Sequence, residues 1–268
     1  MSVDVQLAPG FDAPPPFVRL AAHPLRWRLL RELAGNDLRV RELVALTGEP
    51  QNLVSYHLRL LREGGLVAAR RSSFDGRDSY YVLDLDRCAA ALTESGAALH
   101  PGLGLAAAAP PALAAAGESR PGVLFICTGN SARSPVAEAL LRQRTGGTAA
   151  VASAGTRPRE AMHPNAVRVL RQGFGIDIGG QRPRPLEAAT KGRFDRVITL
   201  CDRAREACPD FGTGPVRAHW SIPDPSPAGG SDEASYPAFE RMAAEIEARI
   251  RYLVPVLASG TNQEEGRP

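Results

Sequence analysis

Residues 123–135 read Val-Leu-Phe-Ile-Cys-Thr-Gly-Asn-Ser-Ala-Arg-Ser-Pro. A run of apolar residues followed by small and polar ones predicts a buried strand that turns sharply into a helix, with Pro135 in the first helical turn. A loop in that position turns its backbone N–H groups inward, and the helix N-terminus adds partial positive charge. Gly129, Ser131 and Ala132 are small enough for the backbone to wrap closely around a tetrahedral oxyanion. The predicted cradle is therefore Thr128, Gly129, Asn130, Ser131, Ala132, Arg133 and Ser134. Cys127 opens the loop, and a thiolate held there is a nucleophile. Arg133, six residues on, closes it with a planar fork that can grip two oxygens of the same anion. A lone cysteine after a strand is more often a packing residue. The Cys, five small or polar residues, Arg and Ser taken together favour the nucleophile.

Outward from this loop, strand and helix alternate. Strands are predicted at 123–126, 150–153 and 196–200, and helices at 135–144, 165–172 and 237–253. Such alternation predicts a parallel sheet covered by helices. Two further segments carry chemistry. Residues 197–209, VITLCDRAREACP, place Cys201 and Cys208 seven apart on a short helical stretch after a strand. Residues 219–226, HWSIPDPS, hold Asp224 in an Asp-Pro turn. On its own, an Asp-Pro is more often a structural turn than a general acid.

The loop CTGNSARSP resembles that of the low-molecular-weight tyrosine phosphatase superfamily, which includes the thioredoxin-coupled arsenate reductases; the resemblance covers about half the chain. It implies a four-stranded parallel sheet with flanking helices. The cysteine pair Cys201 and Cys208 looks like the shuttle pair of the reductases, and Asp224 matches the superfamily's general acid. The phosphatases usually follow that Asp with aromatic residues, where this chain has Ser226-Pro227. The resemblance thus implies reduction of arsenate to arsenite through Cys127, Cys201 and Cys208, with Arg133 and Asp224 assisting and thioredoxin as reductant. No bound cofactor is expected. Asn130, Glu138 and Ser153 fall where certain reductases bind potassium, but residues 181–185 lack the carboxylate to complete such a site, so no bound metal is expected. Two rivals stand: a protein tyrosine phosphatase on the same scaffold, and a regulator whose second half only senses oxyanion or redox state.

The N-terminal half reads differently. Helices are predicted at 17–34, 40–46 and 51–63, then strands at 66–71 and 79–85 around the turn signal Asp75-Gly76, then a helix at 86–99. Residues 51–67, QNLVSYHLRLLREGGLV, resemble the recognition helix of ArsR-type winged-helix repressors, and His23-Pro24-Leu25-Arg26 matches that family's first helix. The resemblance implies an α+β winged helix-turn-helix domain that binds operator DNA as a homodimer. Leu53, Val54, Leu58 and Leu61 are expected to face the core, leaving Gln51, Asn52, Ser55, Tyr56, His57 and Arg59 for the major groove. Arg70, Arg71 and Arg77 on the hairpin are candidates for phosphate contacts. Cys88, the one cysteine of this half, is too little for a metal or arsenite sensor and is read as a packed interface residue.

The 268 residues are 44% hydrophobic and 23% charged, as expected of a soluble globular protein, and the formal net charge of +3 does not by itself argue for nucleic acid. Lys191 is the sole lysine, so arginine richness says little about function. Four scattered cysteines without a secretory leader, and the lack of a long apolar run, predict a cytoplasmic protein that does not engage a membrane. The Pro-, Gly- and Ala-rich stretch 101–120 reads as a linker between domains at 17–100 and 121–258, with loose tails at 1–16 and 259–268.

Overall fold

A computed structural model of the chain describes residues 13–104, 120–189, 192–209, 211, 214–226 and 232–260. Most of the predicted linker and most of the two tails lie outside the described residues. Contacts divide the chain into two compact units. The first takes in the described residues up to Ala34, then Val40–Ala69 and the stretch from Tyr81 to Gly104. The second takes in Gly35–Arg39, Arg70–Tyr80 and the described residues from Arg120 onward.

The single helix expected at 17–34 is two, α1 (Pro16–Ala21) and α2 (Pro24–Gly35). Pro24 has no N–H to continue a helix but suits the start of a new one. Then follow β1 (Leu38–Arg39), which sequence reasoning missed, α3 (Val40–Thr47), α4 (Gln51–Glu63), β2 (Val67–Arg71), β3 (Ser79–Leu83) and α5 (Leu85–Leu99). The three strands form a sheet in the order β1-β3-β2. Asp84 caps α5 by accepting the Arg87 N–H at 2.8 Å. Gly65 ends α4 with a φ of +73°, a left-handed turn that glycine adopts without cost. Leu29, Leu43, Val54, Leu58 and Leu61 are fully buried and make the core of the first unit.

Two expectations about this half are corrected. His57 does not face outward: it is 4% exposed, stacked on His23 with ring centroids 4.3 Å apart. Val54, His57, Leu58 and Leu61 follow the i, i+3, i+4, i+7 stripe of a helix's buried side, so His57 is a core residue. Its imidazole pKa lies below the ordinary value, chiefly through burial and then the charges of His23 and Arg26. Leu53, expected in the core, is instead 37% exposed.

The second unit is built on β4 (Gly122–Cys127), β5 (Ala150–Gly155), β6 (Arg196–Thr199) and β7 (Val216–His219), all parallel and ordered β5-β4-β6-β7. The expected four-stranded parallel sheet with flanking helices is thus observed. Every residue of β4 is buried, as its unbroken apolar run required. The remaining helices are α6 (Arg133–Arg144), α7 (Pro164–Phe174), α8 (Leu186–Ala189), α9 (Asp202–Ala207) and α10 (Asp232–Gly260). Helix α6 packs on β4 and β5 and against α10, which explains why Ser134 to Leu141 are all buried.

The strand order fixes where the chemistry sits. From the central β4 the chain goes first to one neighbour, β5, and later to the other, β6. The loops leaving the carboxyl ends of β4 and β6 therefore diverge and open a crevice, the usual ligand position in open α/β sheets. Cys127 ends β4, and Cys201 follows β6 by two residues. Among the described residues no helix is long and apolar enough to cross a membrane.

Candidate active site

The loop after β4 is pinned from outside. The carbonyl oxygens of Cys127, Thr128, Gly129 and Ser131 accept hydrogen bonds from the N–H groups of Thr156, Arg157, Arg159 and His163, at 3.1, 2.8, 2.9 and 2.9 Å. In a trans peptide the next residue's N–H points opposite to the carbonyl. The N–H groups of Thr128, Gly129, Asn130 and Ala132 are therefore turned away from that segment. The Asn130 N–H lies 3.2 Å from Cys127 Sγ, in line with this direction. Sequence reasoning missed the 156–163 staple, because backbone hydrogen bonds leave no mark on side-chain identity.

Two features allow the tight wrap. Asn130 has a φ of +44°, the one positive value outside glycine among the described residues. It is held there by its own side chain, which donates to Ser134 Oγ at 2.9 Å and Ser153 Oγ at 2.8 Å. Gly155 must be glycine because a Cβ there would meet Thr128 O at 2.8 Å and Asn130 at 3.0 Å. Ser134 Oγ sits 3.0 Å from Cys127 Sγ.

The candidate residues for chemistry converge on this loop. Arg133 is 8% exposed; Nη1 donates to Ile222 O at 3.2 Å and Nη2 to Asp224 Oδ2 at 3.2 Å. Burial works against its charge, but Cys201, Cys127 and Asp224 outweigh it and raise the guanidinium's pKa. Cys201 is 2% exposed, and its Sγ lies 3.2 Å from Thr128 Oγ1, at the rim of the cradle. Burial pushes the Cys201 thiol up, with Cys127 adding to the effect and Arg133 opposing it. Asp224 is more than half exposed on its side chain and caps the loop ahead of Ser226, whose N–H it accepts at 3.2 Å.

Cys208 is not brought to this cluster. Cys201 and Cys208 flank α9 as its N-cap and C-cap. Seven helical steps span about 10 Å, beyond the roughly 7 Å between Cα atoms that a disulfide tolerates. Burial pushes the Cys208 thiol up to about 11. The residue after Cys201, Asp202, is 2% exposed and anchors α9: it accepts from His219 Nε2 at 3.1 Å, Ser221 Oγ at 2.8 Å and the Ser73 N–H at 2.6 Å. Nothing in its local sequence marked this carboxylate. His219, at the end of β7, is the second half of the anchor.

On α4, Gln51, Asn52, Tyr56 and Arg59 are exposed and Ser55 is half-buried; Arg71 and Arg77 on the hairpin are exposed. Arg70 is corrected: within the second unit its guanidinium pairs with Glu245 at 2.5 Å and donates to Ser221 O at 3.1 Å, so its charge is already engaged. Cys88 is half-buried, and burial pushes its thiol up to about 11, far from a reactive thiolate. No cluster of three metal-ligating side chains occurs among the described residues.

Residues 122–263 match the family model for low molecular weight phosphotyrosine protein phosphatase, and residues 23–69 match that for bacterial regulatory proteins of the arsR family. The chain is 36% identical over 129 residues to an arsenate reductase of Halalkalibacterium halodurans, covering 48% of this chain and 91% of that protein. It is 37% identical over 134 residues to an arsenate reductase of Brevibacillus brevis, covering 50% and 94%. A solved arsenate reductase in a phosphate-binding state aligns with a TM-score of 0.45 at 29% identity, covering 51% of this chain and 98% of that one.

Proposed function

We propose, for a chain that belongs to the low molecular weight phosphotyrosine protein phosphatase family and carries an arsR-family helix-turn-helix region ahead of it, that it reduces arsenate to arsenite by a three-cysteine relay and binds operator DNA. The observation that supports the reductase over a phosphatase is a second buried thiol, Cys201, at the rim of the first thiol's cradle. Hydrolysis has no use for it. The named relatives act in the same direction.

In this reading the loop amides and Arg133 hold the arsenate oxygens. Cys127 thiolate forms a sulfur–arsenic bond while one arsenic–oxygen bond breaks, and the leaving oxygen takes a proton from Asp224 and departs as water. Cys201 thiolate then attacks the Cys127 sulfur. The sulfur–arsenic electron pair stays on arsenic, which leaves as arsenite, and a Cys127–Cys201 disulfide remains. Cys208 thiolate attacks Cys201, frees Cys127 and leaves a Cys201–Cys208 disulfide for thioredoxin to reduce. Helix α9 must unwind for this last exchange, because its intact length keeps the two cysteines apart.

The DNA-binding part uses Gln51, Asn52, Ser55, Tyr56 and Arg59 on α4 for the major groove, with Arg71 and Arg77 toward phosphates, in a homodimer formed through the N-terminal region.

Cys208→Ser tests the relay. With one equivalent of arsenate and no thioredoxin, it should release one arsenite per chain and stop with Cys127 and Cys201 disulfide-bonded, as read by peptide mass mapping. Because burial holds the Cys201 thiol up, disulfide formation should quicken toward about tenfold per pH unit on the alkaline side of neutrality. Release of arsenite without that disulfide would contradict the relay.

A further inference from the structure

The oxyanion loop is backed by a buried carboxylate, Glu138, whose side chain is 4% exposed. Its Oε1 accepts from Arg142 Nη2 at 2.6 Å, and its Oε2 accepts from Ser153 Oγ at 2.7 Å and from Arg184 Nη2. Ser153 Oγ in turn accepts from Asn130 Nδ2, and the other end of that amide, Oδ1, accepts the Arg184 N–H at 2.7 Å. The Arg184 carbonyl accepts the Gly155 N–H at 2.9 Å, and Pro185 bridges to Gly155 beside β5. Arg184 is therefore fixed at three points, and two of them lead directly to Asn130 and Gly155, the residues that permit the loop's curvature.

These residues do not fit a potassium ion. The oxygens a cation would need, those of Glu138, Ser153 and Asn130, are each already accepting a hydrogen bond. Two guanidiniums lie on the one carboxylate, and a third positive charge beside them would be repelled. We propose that Arg184 is a positioning residue for the oxyanion loop, its guanidinium serving as a built-in cation on Glu138 so that anion binding needs no free monovalent ion. The physical reason is the cost of a buried carboxylate: Arg142 holds Oε1 alone, and an Oε2 left without Arg184 must recruit a cation or give up its geometry. Through Ser153 and Asn130 that geometry is the loop's own.

The test reads binding of inorganic phosphate, so it stands apart from the arsenate reading. Calorimetric titration of the full chain is done in KCl, NaCl and choline chloride at equal ionic strength. The parent should bind phosphate equally in all three. Arg184→Ala should bind about tenfold more weakly in choline chloride, the scale of one lost charge-assisted hydrogen bond, and recover part of the loss in KCl as the ion takes the place that the guanidinium leaves on Glu138 Oε2. Arg184→Lys, which keeps a cation there, should stay close to the parent. A role confined to folding would lower the melting temperature without any difference between salts. Parent affinity that rises severalfold in KCl, or an Arg184→Ala loss that is the same in all three salts, would overturn the proposal. Should Arg184→Ala fail to fold, the salt response of the parent and of Arg184→Lys still decides it.

Discussion

Arg133→Lys is expected to lower kcat/KM for arsenate by about a hundredfold or more, the scale seen when one preorganised donor to a developing oxyanion is removed. Arginine contributes more than charge here. Its Nη1 is tied to Ile222 O and its Nη2 to Asp224, so the planar fork enters the cradle already oriented. A lysine ammonium is a point charge on a flexible stem; it can satisfy one oxygen but cannot hold two in a plane. The substitution also disturbs the ion pair with Asp224, the proton donor of the proposed relay. Charge is conserved, so the fold should survive, as circular dichroism would check. A lysine variant that reduces arsenate as fast as the parent would mean that the guanidinium does not grip the substrate.

Asp202→Ala is expected to cost about 3 kcal/mol of stability, because it strands two buried donors at once and frees a third residue that the carboxylate holds. His219 Nε2, Ser221 Oγ and the Ser73 N–H all lose their acceptor, and Ser73 Oγ, 3.0 Å from the same carboxylate, loses it too. Burial on its own would raise the Asp202 pKa, but the hydrogen bonds from His219, Ser73 and Ser221 outweigh it and hold the carboxyl well below the usual carboxylate range. The sign for stability follows. A pKa depressed in the folded state gives stabilisation that is complete above the unfolded value, about 3.9 for Asp, and is lost as pH falls through the lower folded value. Urea melts of the parent should therefore lose stability on acidification below about pH 4, and the alanine variant should lack that share of the loss. Since Asp202 is the first residue of α9, the variant should also loosen the segment that carries Cys201. A midpoint in urea unchanged from the parent at neutral pH would contradict the anchor.

The parts of this protein that were legible in the sequence are those in which chemistry and local geometry coincide. Residues 123–135 announce strand, cradle and helix together, because an all-buried strand needs a continuous apolar run and a close-wrapped loop needs small residues. The hairpin around Asp75-Gly76 and the glycine end of α4 were legible for the same local reason. What escaped was set by tertiary contact. Strand β7 is short, and three of its four residues, Val216 to Ala218, are not buried, so it shows no period. His57 lies in a stretch that resembles a recognition helix, although its spacing with Val54, Leu58 and Leu61 places it in the core stripe. Arg70 is unmarked among the hairpin arginines, because its partner Glu245 is far away in sequence. Arg184 drew attention only as the absence of a carboxylate, when its presence is what completes the Glu138 cluster.

The most direct test of the relay is arsenate-dependent NADPH oxidation by the purified chain with thioredoxin and thioredoxin reductase, run beside Cys127→Ser and Cys201→Ser. Turnover by the parent and by neither variant is the result predicted here. No arsenate turnover, with hydrolysis of a phenyl phosphate by both the parent and Cys201→Ser, would contradict the relay and make the Cys127 cradle that of a phosphatase.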